Sequence, residues 1–296
     1  MFKTTERFCF FILTVVFFCT TLLTSSVSAA ATKPLRITTS FYPMYIAALN
    51  LTKGVQGIEV RNLTKPMTGC LHDYNSTTDD MKQLDKTDIF IVNGAGMESF
   101  LDKVIKQKPD IKIISASDGI QTLKDSTGEN PHVWVSISLH IKQIRIISSR
   151  LAALDPTNRR EYNKNADIYV VKLEKLRSEM IAGLKGIKTR DIITLHEAFP
   201  YFAKEFGLNV VAVIEREPGS EPNAREMAST INLVRKTRVK AMFAEPQYPS
   251  KAAQTVTRET DAKLYILDPV VTGPMKDDAY IEIMKKNLRQ LQKALN

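Results

Sequence analysis

Short β-branched runs alternate with helical stretches twice in this chain, once on each side of a single long helical pattern, and that arrangement leaves few folds open. In the first half the expected strands are Leu35–Ser40, Ile58–Leu63, Ile89–Asn93 and Ile111–Ser115, with amphipathic segments such as Met81–Lys86 and Phe100–Lys106 between them. The second half repeats the scheme with strands Asp191–Leu195, Val210–Ile214, Ala241–Ala244 and Leu264–Leu267. Helices are expected over Phe199–Phe206, Asn223–Lys236, Lys251–Glu259 and Ala279–Leu295. Parallel neighbours need a long return connection, so the alternation predicts α/β architecture: two lobes, each with a mainly parallel four-stranded sheet flanked by helices.

Between the lobes Tyr162, Ala166, Tyr169, Leu173, Leu176, Met180 and Leu184 recur at helical spacing, with Asp155 read as the N-cap and Pro156 at the first helical position. Unbroken to Lys185, this helix runs about 45 Å at 1.5 Å per residue. It predicts one long, rigid backbone helix joining the lobes. The expected divisions are a leader over 1–30, an N-terminal lobe over 31–154, the linking helix over 155–186 and a C-terminal lobe over 187–296.

The leader is read from Lys3 and Arg7, the apolar stretch Phe8–Leu23 and the small residues Val27-Ser28-Ala29, the pattern of an export signal cleaved after Ala29 or Ala30. Phe17 and Phe18 precede Cys19 where a lipid-attachment signal carries small residues, which argues against lipid anchoring. Cleavage removes Cys9 and Cys19 and leaves Cys70 alone, so no internal disulfide is expected. The formal charge of +9 is spread along the chain without a basic run, and nucleic-acid binding finds no support in it.

Open parallel sheets hold ligands outside the carboxyl ends of their strands. His196 closes one expected strand, Asp268 closes another, and His72 lies in the loop after Ile58–Leu63. His132 follows Ile111–Ser115 through a longer polar loop, inside Asn130-Pro131-His132-Val133-Trp134. Three imidazoles and a carboxylate suit a borderline transition metal, Zn2+ first and Mn2+ as the harder alternative. Spacing alone also leaves packing roles open for each imidazole. His140, within the helical run Ser136–Leu154, is read as a surface or packing residue. Glu197 and Glu245 are candidates for an extra ligand or for the acceptor of an imidazole N–H. Asp73 is read as a loop acid.

Enzyme signatures are missing. His196-Glu197 begins like a zinc-protease helix, but Pro200 stands where the second histidine belongs. There is no nucleophile elbow, phosphate loop or dinucleotide fingerprint, and Gly94-Ala95-Gly96 reads as a tight turn.

Several motifs, spread over essentially the whole exported chain, carry a family resemblance: Ser40-Phe41-Tyr42-Pro43, Asn93-Gly94-Ala95-Gly96-Met97-Glu98, Asn130-Pro131-His132-Val133-Trp134, Leu195-His196-Glu197-Ala198-Phe199-Pro200-Tyr201-Phe202 and Phe243-Ala244-Glu245-Pro246-Gln247. The chain resembles the periplasmic solute-binding proteins of bacterial zinc and manganese ABC importers (cluster A-I). The resemblance implies metal ligands at His72, His132, His196 and Asp268, and a histidine at the third of these positions is similar to the zinc-type members. It also implies a monomeric periplasmic receptor, not an enzyme, that delivers its ion to a membrane permease powered by a cytoplasmic ATPase. The alternatives are an exported zinc-dependent hydrolase and a metal-independent adhesin.

Overall fold

The computed structural model describes residues 33–65, 68–71, 74–101, 108–124, 128–214, 222–248 and 251–296. The leader over 1–30, His72, Asp73 and most of the expected Phe100–Lys106 helix lie outside these residues. Of that helix, the described part is a single 3-10 turn at Ser99–Leu101.

Among the described residues, eight strands form two four-stranded sheets. The first holds β1 (Leu35–Thr39), β2 (Ile58–Asn62), β3 (Ile89–Val92) and β4 (Lys112–Ser115) in the order β2-β1-β3-β4. The second holds β5 (Asp191–Thr194), β6 (Asn209–Val213), β7 (Ala241–Ala244) and β8 (Lys263–Ile266) in the order β6-β5-β7-β8. All the pairings within these sheets are parallel, as the alternation of strands and helices requires. Burial follows position in the sheet: central β3 (Ile-Phe-Ile-Val) and β7 (Ala-Met-Phe-Ala) are buried throughout, whereas the edge strands β2 and β8 are partly exposed.

Local chemistry sets the helix ends. Thr77 and Asp80 form a reciprocal capping box at the start of the Thr78–Leu84 helix, and Asn223 with Glu226 does the same for Ala224–Thr237. Gly207, at φ +64°, takes the left-handed position that ends Pro200–Phe206. The helix Tyr42–Leu51, which has no amphipathic signature, packs almost wholly buried behind β1.

The linking helix runs from Arg159 to Gly183, about 38 Å at 1.5 Å per residue, preceded by a 3-10 turn at Pro156–Asn158. Tyr162, Ala166, Tyr169, Leu173, Leu176 and Met180 form its buried stripe, as the spacing predicts. Asp155 is not its side-chain cap. It ends the preceding helix Ile137–Leu154, and its carboxylate accepts from Asn158 Nδ2 and Tyr162 Oη, both at 2.7 Å. The linking helix is tied to both halves of the chain: Asn165 Nδ2 donates to the carbonyls of Leu51 and Lys53, and Arg177 Nε donates to Glu205 Oε1 at 2.8 Å. Pro34–Asn296 is one compact unit. Among the described residues no helix is long and apolar enough to cross a membrane.

Candidate metal centre

Each sheet has a switch point, where the connections leave two central strands in opposite directions and open a crevice at their carboxyl ends. In the second sheet those strands are β5 and β7. His196 stands two residues beyond β5 and Glu245 directly follows β7. Their side chains are 2% and 1% exposed, with Nδ1 of His196 2.8 Å from Glu245 Oε1. A carboxylate in this place accepts a hydrogen bond from Nδ1–H, which orients the ring and directs the lone pair of Nε2 towards coordination. Gln247 Nε2 holds the other carboxylate oxygen at 2.6 Å. Of the two readings for Glu245, the structure shows the contact with an imidazole.

His132 reaches the same place from the loop after β4. The side-chain oxygen of Asn130 accepts the His132 backbone N–H and meets its Nδ1, both at 3.0 Å. The two imidazoles lie edge to face with centroids 4.8 Å apart. Asn93 Nδ2, at the end of β3, donates to the Pro131 carbonyl at 2.9 Å. Second-half residues grip the same loop: Asn130 Nδ2 donates to the Glu197 carbonyl at 3.0 Å and Tyr201 Oη donates to the Asn130 carbonyl at 2.7 Å. Trp134 Nε1 donates to the Pro269 carbonyl at 2.7 Å, and Phe41 packs edge-on against the indole at 5.0 Å. Trp134 is therefore a packing support beside His132.

A third donor joins the imidazoles. Cys70 is buried, and its Sγ and one ring nitrogen from each of His132 and His196 all lie within 4.8 Å of one another. In the sequence Cys70 stands out only as a lone thiol without a disulfide partner, two residues before His72. His72 itself lies outside the described residues, between the buried Leu71 and Tyr74, whose Oη donates to Asp80 at 2.8 Å.

Asp268 follows β8 with one carboxylate oxygen accepting the Val270 N–H at 2.8 Å, and it is not part of the sulfur–nitrogen triangle. Burial, helped by the charge of Glu245, pushes its carboxyl up to about 6. His140 is a packing residue: it is fully buried and stacked on Tyr280 at 4.3 Å. Gly94-Ala95-Gly96 is a turn of three residues with positive φ, and its entry is held by the buried carboxyl of Glu98, which accepts from the N–H groups of Asn93 and Gly94.

Comparison with known proteins agrees with this architecture. The High-affinity zinc uptake system protein ZnuA of Bacillus subtilis (strain 168) is 30% identical over 283 residues, 88% of each chain. The Zinc-binding lipoprotein AdcA of Streptococcus pneumoniae (strain ATCC BAA-255 / R6) is 28% identical over 286 residues; these are 87% of this chain but 55% of AdcA, so the chain spans about half of that relative. Among solved structures, the solute-binding protein FpvC of Pseudomonas aeruginosa in complex with Mn2+ superposes with a TM-score of 0.81 at 32% identity, covering 89% of this chain and 98% of FpvC. The profile of the family described as zinc-uptake complex component A, periplasmic (ZnuA), matches residues 37–294. Since that match runs from the first strand into the last helix, the chain belongs to the ZnuA family of periplasmic zinc-uptake components, which bind metal and are not enzymes.

Proposed function

We propose that this receptor takes Zn2+ as its cargo, with Mn2+ as the alternative, and holds the ion between His132 and His196, with His72 and Asp268 as the further ligands. The observation that supports this reading is the buried imidazole pair, with centroids 4.8 Å apart and one ring fixed by Glu245. Imidazoles held by hydrogen bonds through Nδ1 suit a borderline divalent cation. A site filled by protein donors has no open position for an activated water, which sets it apart from a hydrolase.

The lobes over 31–154 and 187–296 each supply part of the ligand set, and the linking region over 155–186 keeps them in register. The leader over 1–30 is removed after Ala29 or Ala30, and Cys19 leaves with it, so the exported form carries no lipid anchor. The receptor is a monomer. It docks on a membrane permease driven by a cytoplasmic ATPase and releases the ion there.

Metal analysis of protein purified without added metal, followed by competition between Zn2+ and Mn2+, tests the reading. About one equivalent of zinc, resistant to displacement by excess Mn2+, is expected. Unchanged zinc stoichiometry in a His132→Ala/His196→Ala double variant would overturn it.

A further inference from the structure

Cys70 lies where a ligand would lie. Three donor atoms that are all within 4.8 Å of one another share a point no more than about 2.8 Å from each, and zinc binds sulfur at about 2.3 Å and imidazole nitrogen at about 2.0–2.1 Å. Side-chain adjustments of at most about 0.8 Å therefore close the distance.

The backbone holds the sulfur in that position. The Cys70 N–H donates to Tyr248 Oη at 3.0 Å, a bond between the first half of the chain and the second. Gly69, at φ +83°, brings the loop so close that a Cβ there would meet the same oxygen at 2.6 Å. The Tyr248 ring in turn stands edge-on to His196 at 6.3 Å. One tyrosine thus fixes the Cys70 backbone and borders the imidazole that its sulfur approaches.

We propose that Cys70 is a sulfur donor to the captured ion and the residue that sets cation preference at this site. Sulfur binds as the thiolate, its proton passing to the buffer as the metal–sulfur bond forms. A nitrogen–sulfur set favours thiophilic borderline cations such as Zn2+, Co2+ and Cd2+ and disfavours the harder Mn2+. The inference rests on the reading that the ion sits between His132 and His196.

Co2+ bound to the exported chain tests it. Cys70 is then the only thiol, so an intense sulfur-to-cobalt charge-transfer band in the near ultraviolet can come from no other residue. The expected result is that band in the unaltered protein, its loss in Cys70→Ser with weak visible cobalt bands retained, and a fall of about tenfold or more in Zn2+-over-Mn2+ preference. One equivalent of bound Co2+ without the band in the unaltered protein would overturn the role of Cys70 and leave the imidazole site standing. Failure of the unaltered protein to bind Zn2+ or Co2+ at all would overturn both. The first comparison needs no variant, so it does not depend on whether Cys70→Ser folds.

Discussion

Glu245 Oε1 and His196 Nδ1 lie 2.8 Å apart at the carboxyl ends of neighbouring strands, buried from solvent on every side. Glu245→Gln keeps the shape and removes the charged acceptor that orients the ring. Loss of such a partner typically weakens metal binding by about 10- to 100-fold. Zinc titration against a chelator of known affinity should show that loss, with the far-ultraviolet circular dichroism unchanged.

Metal binding should raise the melting temperature of the native protein, because an ion that binds only the folded state stabilises it by mass action. At about 100 times Kd the gain is about 2.7 kcal/mol. His132→Ala should abolish most of that zinc-induced shift, since it removes one of the two opposed imidazoles. A shift of full size in the variant, read by calorimetry, would exclude His132 as a ligand.

Affinity should fall as the solution is acidified. Zinc competes with protons for imidazole, whose ordinary value is about 6.5. Binding at about pH 5.5 should therefore be much weaker than at about pH 7.5, and equal affinities at the two values would contradict a histidine site.

The metal-free protein should show a separate acid sensitivity. Burial pushes the His140 imidazole down to about 4 from 6.5. A depressed value in the folded state contributes stability above the unfolded value, and this is lost as pH falls through the folded one. The loss between 6.5 and 4 is about 3 kcal/mol. Glu98 runs the other way: burial raises its carboxyl to about 7, and its contribution is lost as pH rises through that value. The test is therefore a difference, with urea unfolding at both ends of the His140 window for the unaltered protein and for His140→Phe, which keeps the stack on Tyr280. The variant should lose less stability on acidification.

Tyr201 Oη donates to the Asn130 carbonyl and accepts the Leu123 N–H, at 2.7 and 2.8 Å. Tyr201→Phe removes both bonds, and a buried polar group left without its partner costs about 1–3 kcal/mol. A lower denaturation midpoint together with weaker zinc binding is expected, because Asn130 also positions His132.

Most of the architecture was legible because strand burial and helix amphipathicity leave periodic marks. Ala241–Ala244, Lys251–Glu259 and Ala279–Leu295 fall where the pattern puts them. Tyr42–Leu51 left no such mark: Tyr42, Met44, Ile46, Ala47, Ala48 and Leu51 are all buried, and without a polar face there is no periodic contrast to read. His132 and His196 could be named as candidates from their positions after strands, but their meeting depends on contacts between distant segments, which spacing does not encode. Cys70 illustrates the same limit, because its role depends on a tyrosine far along the chain.

The grip of Glu197, Tyr201 and Pro269 on the segment Asn130–Trp134 has a bearing on recognition. With that segment tethered from both sheets, the empty and loaded receptors should present nearly the same outline to whatever docks across them. A transporter would then be unable to sense cargo from the spread of the lobes. The difference it reads would have to be local, at the buried donors of Cys70, His132 and His196.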